Sequence, residues 1–238
     1  MWVCDLGNTR IRWARYRDGV LSERGSALHR DGAFRDAWRP GKSEVVVVSV
    51  AGDSVERALE VWLCSQGVQE VRFPRSRKRV AGVVNAYTDV SQMGADRWAA
   101  MVAARARHTG PLAVIDCGSA ITVDVLDLDG RHLGGAILPG LHMMSAGLSR
   151  DAARVEVDYV GGKELSLGAD TAACVSAGVL SAAVGGVHQI LKEAEHQLGA
   201  QPRRILCGGD AQRLRPYLEP VTPDPDLVLW GAVLLAEE

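Results

Sequence analysis

The chain has 238 residues, and its 27 basic and 29 acidic side chains nearly balance, which leaves no electrostatic footprint for a nucleic acid. No apolar run is expected to reach the roughly 18 residues of a membrane span, and the N-terminus enters a strand without the basic start and long apolar stretch of a leader. Five scattered cysteines (Cys4, Cys64, Cys117, Cys174, Cys207) form no CxxC pair, which reads as reduced thiols, mostly in the core, and predicts a cytoplasmic compartment.

In chain order, the apolar run Trp2-Val3-Cys4 ends in Asp5-Leu6-Gly7-Asn8-Thr9-Arg10, and a second strand leads to an Asp18-Gly19 hairpin turn. Glu44 to Val50 is a β-branched run closed by Ala51-Gly52, hence a buried strand. Asp53 or Ser54 can cap the next helix, in which Val55, Leu59, Trp62 and Leu63 share a face. Val71-Arg72-Phe73 is a short strand ended by Pro74. Residues 75–94 read as a long loop, and long loops in compact domains are often functional. An Ala-rich helix from Asp96 to about His108 stops at Thr109-Gly110-Pro111.

The second half repeats the opening. Leu112-Ala113-Val114-Ile115 runs into Asp116-Cys117-Gly118-Ser119-Ala120-Ile121-Thr122, and Asp129-Gly130 follows at the offset that separates Asp18-Gly19 from Asp5. Gly134 to Gly140 is succeeded by a helix from Leu141 to Leu148 and an irregular charged stretch to about Leu167. Residues 170–198 are helical, with Gly185-Gly186 as a kink or a close-packing point. Arg203 to Cys207 is a strand ending in Gly208-Gly209-Asp210, where Asp210 can cap a helix, and Asp226 to Glu238 forms an apolar helix. Strands followed by helices in two similar halves predict an α/β fold with mixed sheets and two lobes, residues 1–110 and 111–238, facing each other across a nucleotide.

Asp-x-Gly at a strand end brings backbone N–H groups close to phosphate oxygens, because glycine lets the chain approach. Asp5 would then hold a cation or its water and not the phosphate itself. A single copy is equally an Asx turn in an ordinary hairpin, and it is the repetition that favours the ligand. Asp96, near a helix start where the macrodipole favours its ionised form, is either a general base for a substrate hydroxyl or an N-cap. In Gly168-Ala169-Asp170-Thr171, either Asp170 or Thr171 caps the long helix, and a hydroxyl there could also bind a polar substrate. The histidines (His29, His108, His132, His142, His188, His196) lack metal-ligand spacing, His188 and His196 reading as surface residues. No GxSxG, Walker loop or GxGxxG is present. The six tryptophans read as packing residues.

Taken together these segments resemble type III pantothenate kinase, of the superfamily of acetate and sugar kinases, heat-shock chaperones and actin. The match runs in order through Asp5 to Arg12, Asn85-Ala86-Tyr87 with Met93 to Trp98, Asp116 to Asp124 with Gly134 to Gly140, Gly168 to Thr171, and Asp226 to Gly231. The resemblance implies two ribonuclease-H/actin-like lobes with a nucleotide cleft between them, and ATP-dependent phosphorylation of pantothenate to 4′-phosphopantothenate, the first step of coenzyme A biosynthesis. It implies Asp96 as general base and Tyr87, Gly94, Ala95, Asp96, Arg97 and Thr171 as the pantothenate site. Asp5, Leu6, Gly7, Asn8, Thr9, Arg10, Ile11, Arg12 and Ser119 would contact ATP, and Asp116 would hold potassium or ammonium, with magnesium arriving on ATP. A homodimer with active sites at the subunit interface is implied as well, with no nucleic-acid or membrane partner. Three departures stand out: Ser119 for the family's Thr, no Pro at or beside Val90, and no Thr-Ala-x-Leu-Pro segment at Asp151 to Val157. The competing readings are a non-catalytic regulator of the same family and a kinase or phosphatase of the same fold acting on another substrate.

Overall fold

The computed structural model describes residues 1–30, 32–151 and 165–237. The chain divides into two compact units, Met1–His108 with Asp226–Glu238, and Thr109–Pro225.

The first unit opens with β1 (Trp2–Leu6), β2 (Arg10–Arg17) and β3 (Val20–Leu28), then a short α1 (Phe34–Ala37), β4 (Glu44–Ser49), α2 (Asp53–Ser65) and β5 (Glu70–Arg72). The sheet order is β3-β2-β1-β4-β5, antiparallel from β3 to β1 and parallel from β1 to β5. Asp18 and Gly19, both in the left-handed region (φ 51° and 79°), make the two-residue turn between β2 and β3, the geometry that matches strand twist. Val45 to Val48 are fully buried, as a parallel strand covered on both faces must be. An aromatic cluster fills the core on one side: Trp13 stacks on Trp38 at 5.4 Å, with Trp2 edge-on to Trp38 and Phe34 edge-on to Trp62.

Residues 75–94 are not an unstructured loop. They contain a hairpin, β6 (Arg79–Val80) with β7 (Val83–Val84), and one 3-10 turn (Val90–Gln92) capped by Asp89. α3 (Ala95–Arg107) follows, and nine of its thirteen residues are buried. The cap of α2 also differs from expectation. Gly52 occupies the N-cap with no side-chain hydrogen bond, so neither Asp53 nor Ser54 serves.

The second unit repeats the first: β8 (Leu112–Cys117), β9 (Ala120–Leu126), β10 (His132–Pro139), α4 (Leu141–Asp151), α5 (Thr171–Leu198), β11 (Arg203–Cys207), α6 (Ala211–Leu218) and β12 (Thr222–Pro223). Its order, β10-β9-β8-β11-β12, reproduces that of the first sheet strand for strand, with the same directions. Asp129-Gly130 lies in a five-residue loop here and not in a two-residue turn, because Asp127 Oδ1 accepts the N–H groups of both Asp129 and Arg131. Asp210 is the N-cap of α6, again without a side-chain capping bond, its carboxylate accepting from Arg213 Nη1 at 3.2 Å instead. α4 runs to Asp151, beyond the expected Leu148, and the remainder of the atypical 151–157 segment lies outside the described residues.

α5 decides between two readings and corrects a third expectation. It runs unbroken through Gly185-Gly186, and Gly186 is the close-packing point: a Cβ there would stand 2.7 Å from Leu138 Cδ2. By length and composition it is also apolar enough to cross a membrane, contrary to the sequence reading. Residues 171–190 carry no Asp, Glu, Lys or Arg because small residues complete the helix around a buried face of Val175, Val179, Leu180, Val184 and Val187.

The last helix, α7 (Leu227–Ala236), belongs to the first unit, although sequence order had placed it in the second lobe. It lies against α3, β1 and β4, and a Cβ at Gly231 would fall 2.2 Å from the Ala99 carbonyl oxygen. Glycine is required at that crossing for the helices to meet.

Candidate active site

In the first unit the site gathers where β1 and β4 end. Leu6 O accepts from Val50 N at 3.1 Å, tying the two carboxyl ends together. The chain then turns at Gly7, whose N–H donates to Arg10 O at 3.0 Å. Asn8, Thr9 and Arg10 are exposed on this turn, and Asp5 is half-buried opposite Arg12. Leu6 and Ile11 are buried in the core, so they can present only backbone to a ligand. Arg12 faces Asp226 at 3.7 Å, a carboxylate that also accepts from Arg24 Nε at 2.8 Å. A cavity of about 490 Å³ opens beside the turn, its polar lining supplied by Asn8, His29, Arg30 and Ser54. Ligands of open α/β sheets bind outside the carboxyl ends of parallel strands, which is where this cavity lies.

Asp96 arrives at the same edge. Gly94 caps α3, and its Cα is so close to its neighbours that a Cβ would sit 2.7 Å from Asp96 Oδ1 and 3.5 Å from Val50 Cγ1. The Asp96 carboxylate is thus folded back over the glycine, next to the residue that follows β4, and its Oδ1 accepts from Arg97 N at 2.7 Å. Ala95 is buried. The buried Arg97 donates to Tyr87 Oη at 3.0 Å and its guanidinium lies 5.8 Å from the Tyr87 ring centre. Tyr87, Gly94, Asp96 and Arg97 therefore form one continuous group.

Two further contacts hold the segment that carries Tyr87. Ser76 Oγ donates to Met93 O at 2.9 Å, and Arg75 grips Glu56 of α2 with bonds of 2.9 and 2.5 Å. Burial alone would raise the Glu56 carboxyl, but hydrogen bonds from Arg75 and Ser49 and the Arg75 charge outweigh it and hold it below its ordinary 4.5. A depressed folded value means the pair stabilises the fold above the unfolded pKa and stops doing so as pH falls through the folded one. Glu56→Gln is expected to flatten the acid limb of the melting-temperature profile below pH 4.5, with little change in that profile's shape at neutral pH. Thermal unfolding of both proteins across the acid range checks it.

The second unit offers a parallel arrangement. Asp116, one residue before the end of β8, lies opposite Thr122 of β9 and pairs in register with Cys207 of β11. The turn is one residue tighter than its counterpart, and Gly118 N donates to Ala120 O at 2.9 Å. Ser119 O is held by Gly140 N at 3.1 Å. Gly208, in the left-handed region at φ 96°, lies under the Asp116 carboxylate: a Cβ there would stand 2.4 Å from Asp116 Oδ1 and from Cys117 O. Carboxylate and carbonyl oxygens around a glycine cradle suit a hard cation. Among the described residues no cluster of three His, Cys, Asp or Glu forms a metal site, so a cation here would be held by one carboxylate and backbone oxygens.

Asp170 is the cap of α5, accepting from Ala173 N at 2.8 Å, which leaves Thr171 exposed in the first turn. Burial and the neighbouring Asp5 push the Cys4 thiol up, and burial with Asp116 and Asp210 does the same at Cys117. Both stay protonated and inert. Sequence reading missed the tie between Glu56 and Arg75 and the contact of Ser76 with Met93, because no local pattern marks a polar residue whose partner comes from a distant element.

The chain is similar to known proteins. Residues 1–193 match the family model of type III pantothenate kinase. The chain is 34% identical to a type III pantothenate kinase of Nitrosococcus oceani, over 99% of this chain and 93% of the relative, and 36% identical to one of Marinobacter nauticus over 90% and 88%. Among solved structures, a Campylobacter jejuni protein assigned to the Baf family of transcriptional activators superposes with a TM-score of 0.63 at 21% identity, covering 100% of this chain and 98% of that one. MreB5 of Spiroplasma citri bound to ADP superposes with a TM-score of 0.50 at 10% identity, covering 99% and 95%. Those two likenesses speak to a two-lobed actin-like fold and to nothing further.

Proposed function

The chain belongs to the type III pantothenate kinase family, and from that premise we propose that it transfers the γ-phosphoryl group of ATP to the primary hydroxyl of pantothenate. The product is 4′-phosphopantothenate, at the first step of coenzyme A biosynthesis, in the cytoplasm. The observation that carries this reading is the Asp96 carboxylate, folded over Gly94 at the ends of β1 and β4 and joined through Arg97 to Tyr87.

Phosphoryl transfer asks a protein mainly for positioning and charge stabilisation. Asp96 accepts the hydroxyl proton as that oxygen bonds to the γ-phosphorus and the bond to ADP breaks. Tyr87, Gly94, Ala95, Arg97 and Thr171 bind pantothenate, the exposed Thr171 hydroxyl and the buried Arg97 supplying donors. Asp5 to Arg12 contact ATP through the Gly7 turn, Leu6 and Ile11 by main chain alone, and Ser119 contributes its hydroxyl. A potassium or ammonium ion at Asp116, and magnesium on ATP, supply positive charge beside the phosphates when bound. The working unit is a homodimer. The test is a comparison of acceptors with ATP and magnesium: pantothenate should exceed any hexose in kcat/KM by orders of magnitude, and only with potassium or ammonium present. A preference for a hexose would reject the substrate, and indifference to the cation would remove that role from Asp116.

A further inference from the structure

We propose that Lys78 and Asn85 are positioning residues for the acceptor site, fixing Tyr87 by its main chain so that its ring and hydroxyl stand where the acceptor binds. The proposal rests on the reading of Tyr87 as a pantothenate-binding residue. Tyr87 lies outside any helix or strand, so no regular ladder holds its N–H and C=O. Both are met by a single device. Asn85 Oδ1 accepts from Tyr87 N at 2.9 Å, and Lys78 Nζ donates to Tyr87 O at 3.3 Å and to Asn85 O at 2.7 Å.

The device is anchored in turn. Asn85 is 1% exposed, its N–H donates to Lys78 O at 2.9 Å, and its Nδ2 to Arg77 O at 3.4 Å. These bonds close the base of the β6–β7 hairpin, where Arg79 pairs with Val84. From the hairpin base, polar contacts run without a gap to the reacting end of the site: Lys78 and Asn85 to the Tyr87 main chain, Tyr87 Oη to Arg97, and Arg97 N to Asp96. The hairpin that sequence reading had left as loop thereby acquires a purpose. An ammonium suits the post because its donors rotate to reach two carbonyls at once.

Lys78 is exposed, so Lys78→Met keeps the aliphatic stem, removes only the donors and leaves the fold standing. The experiment measures amide hydrogen exchange at Tyr87 together with kinetics for Lys78→Met, Tyr87→Ala and the double variant. Losing a charged donor should speed Tyr87 amide exchange about tenfold and raise the KM for pantothenate about tenfold, with kcat and the KM for ATP within about twofold of the parent. Because Lys78 acts through Tyr87, the double variant should cost no more than Tyr87→Ala alone. Lys78→Arg, whose guanidinium also carries donors for both carbonyls, should recover most of the lost affinity. Unchanged Tyr87 exchange in Lys78→Met overturns the proposal, and additive effects in the double variant overturn it in favour of direct contact between Lys78 and the acceptor. If the parent protein does not phosphorylate pantothenate, the functional reading fails by itself, and amide exchange still decides whether Lys78 holds Tyr87.

Discussion

Replacing Asp96 by Asn should lower kcat by about a thousandfold, within the range that removal of a positioned general base commands, while the fold and the KM for pantothenate stay close to the parent values. Asn keeps the shape of the side chain and an oxygen that can accept the bond from Arg97 N, so the start of α3 loses nothing it needs. What disappears is the ability to take a proton. Gly94 leaves the carboxylate its place, since a Cβ on the glycine would approach Oδ1 to 2.7 Å. Steady-state kinetics and a thermal melt of the variant check the expectation together, and near-native turnover would take the base role from Asp96.

Gly208→Ala should be nearly as damaging for a different reason. The new methyl would need the space held by Asp116 Oδ1 and Cys117 O, and φ of 96° is a conformation alanine adopts only under strain. The Cys117 carbonyl cannot retreat freely, because it accepts from Asp210 N at 2.8 Å and its strand is registered against β11. The carboxylate must therefore move off the glycine. The potassium concentration for half-activation should rise at least about tenfold, and stability should fall by about 1–3 kcal/mol, the usual cost of overpacking. Rate against potassium concentration, with a melt of the same protein, separates the two effects. An unchanged half-activation concentration would move the cation away from Asp116.

Much of this was legible in the amino acids, and the reasons differ from place to place. The two Asp-x-Gly segments each close a buried strand, and the structure bears the duplication out as two sheets of identical order. Asp96 was legible as a helix-start carboxylate. The β6–β7 hairpin was not, because strands of two residues carry no measurable alternation. The placement of α7 was not either: its residues are apolar nearly all round, so its pattern names no face, and it is the packing against α3, with Gly231 on Ala99, that assigns it. The uncharged stretch of α5 was misjudged because alanine, glycine and serine dilute its apolar character to the eye without adding charge. Leu6 and Ile11 fall inside the phosphate motif by sequence, yet strand alternation turns both into the core.

The most direct measurement is phosphorus NMR of one incubation: purified protein, ATP, magnesium, potassium and pantothenate. The account predicts ADP and an equal amount of a phosphomonoester on the primary hydroxyl of pantothenate, with little free phosphate. ATP left intact, or consumed only to inorganic phosphate while the protein is folded, would contradict it.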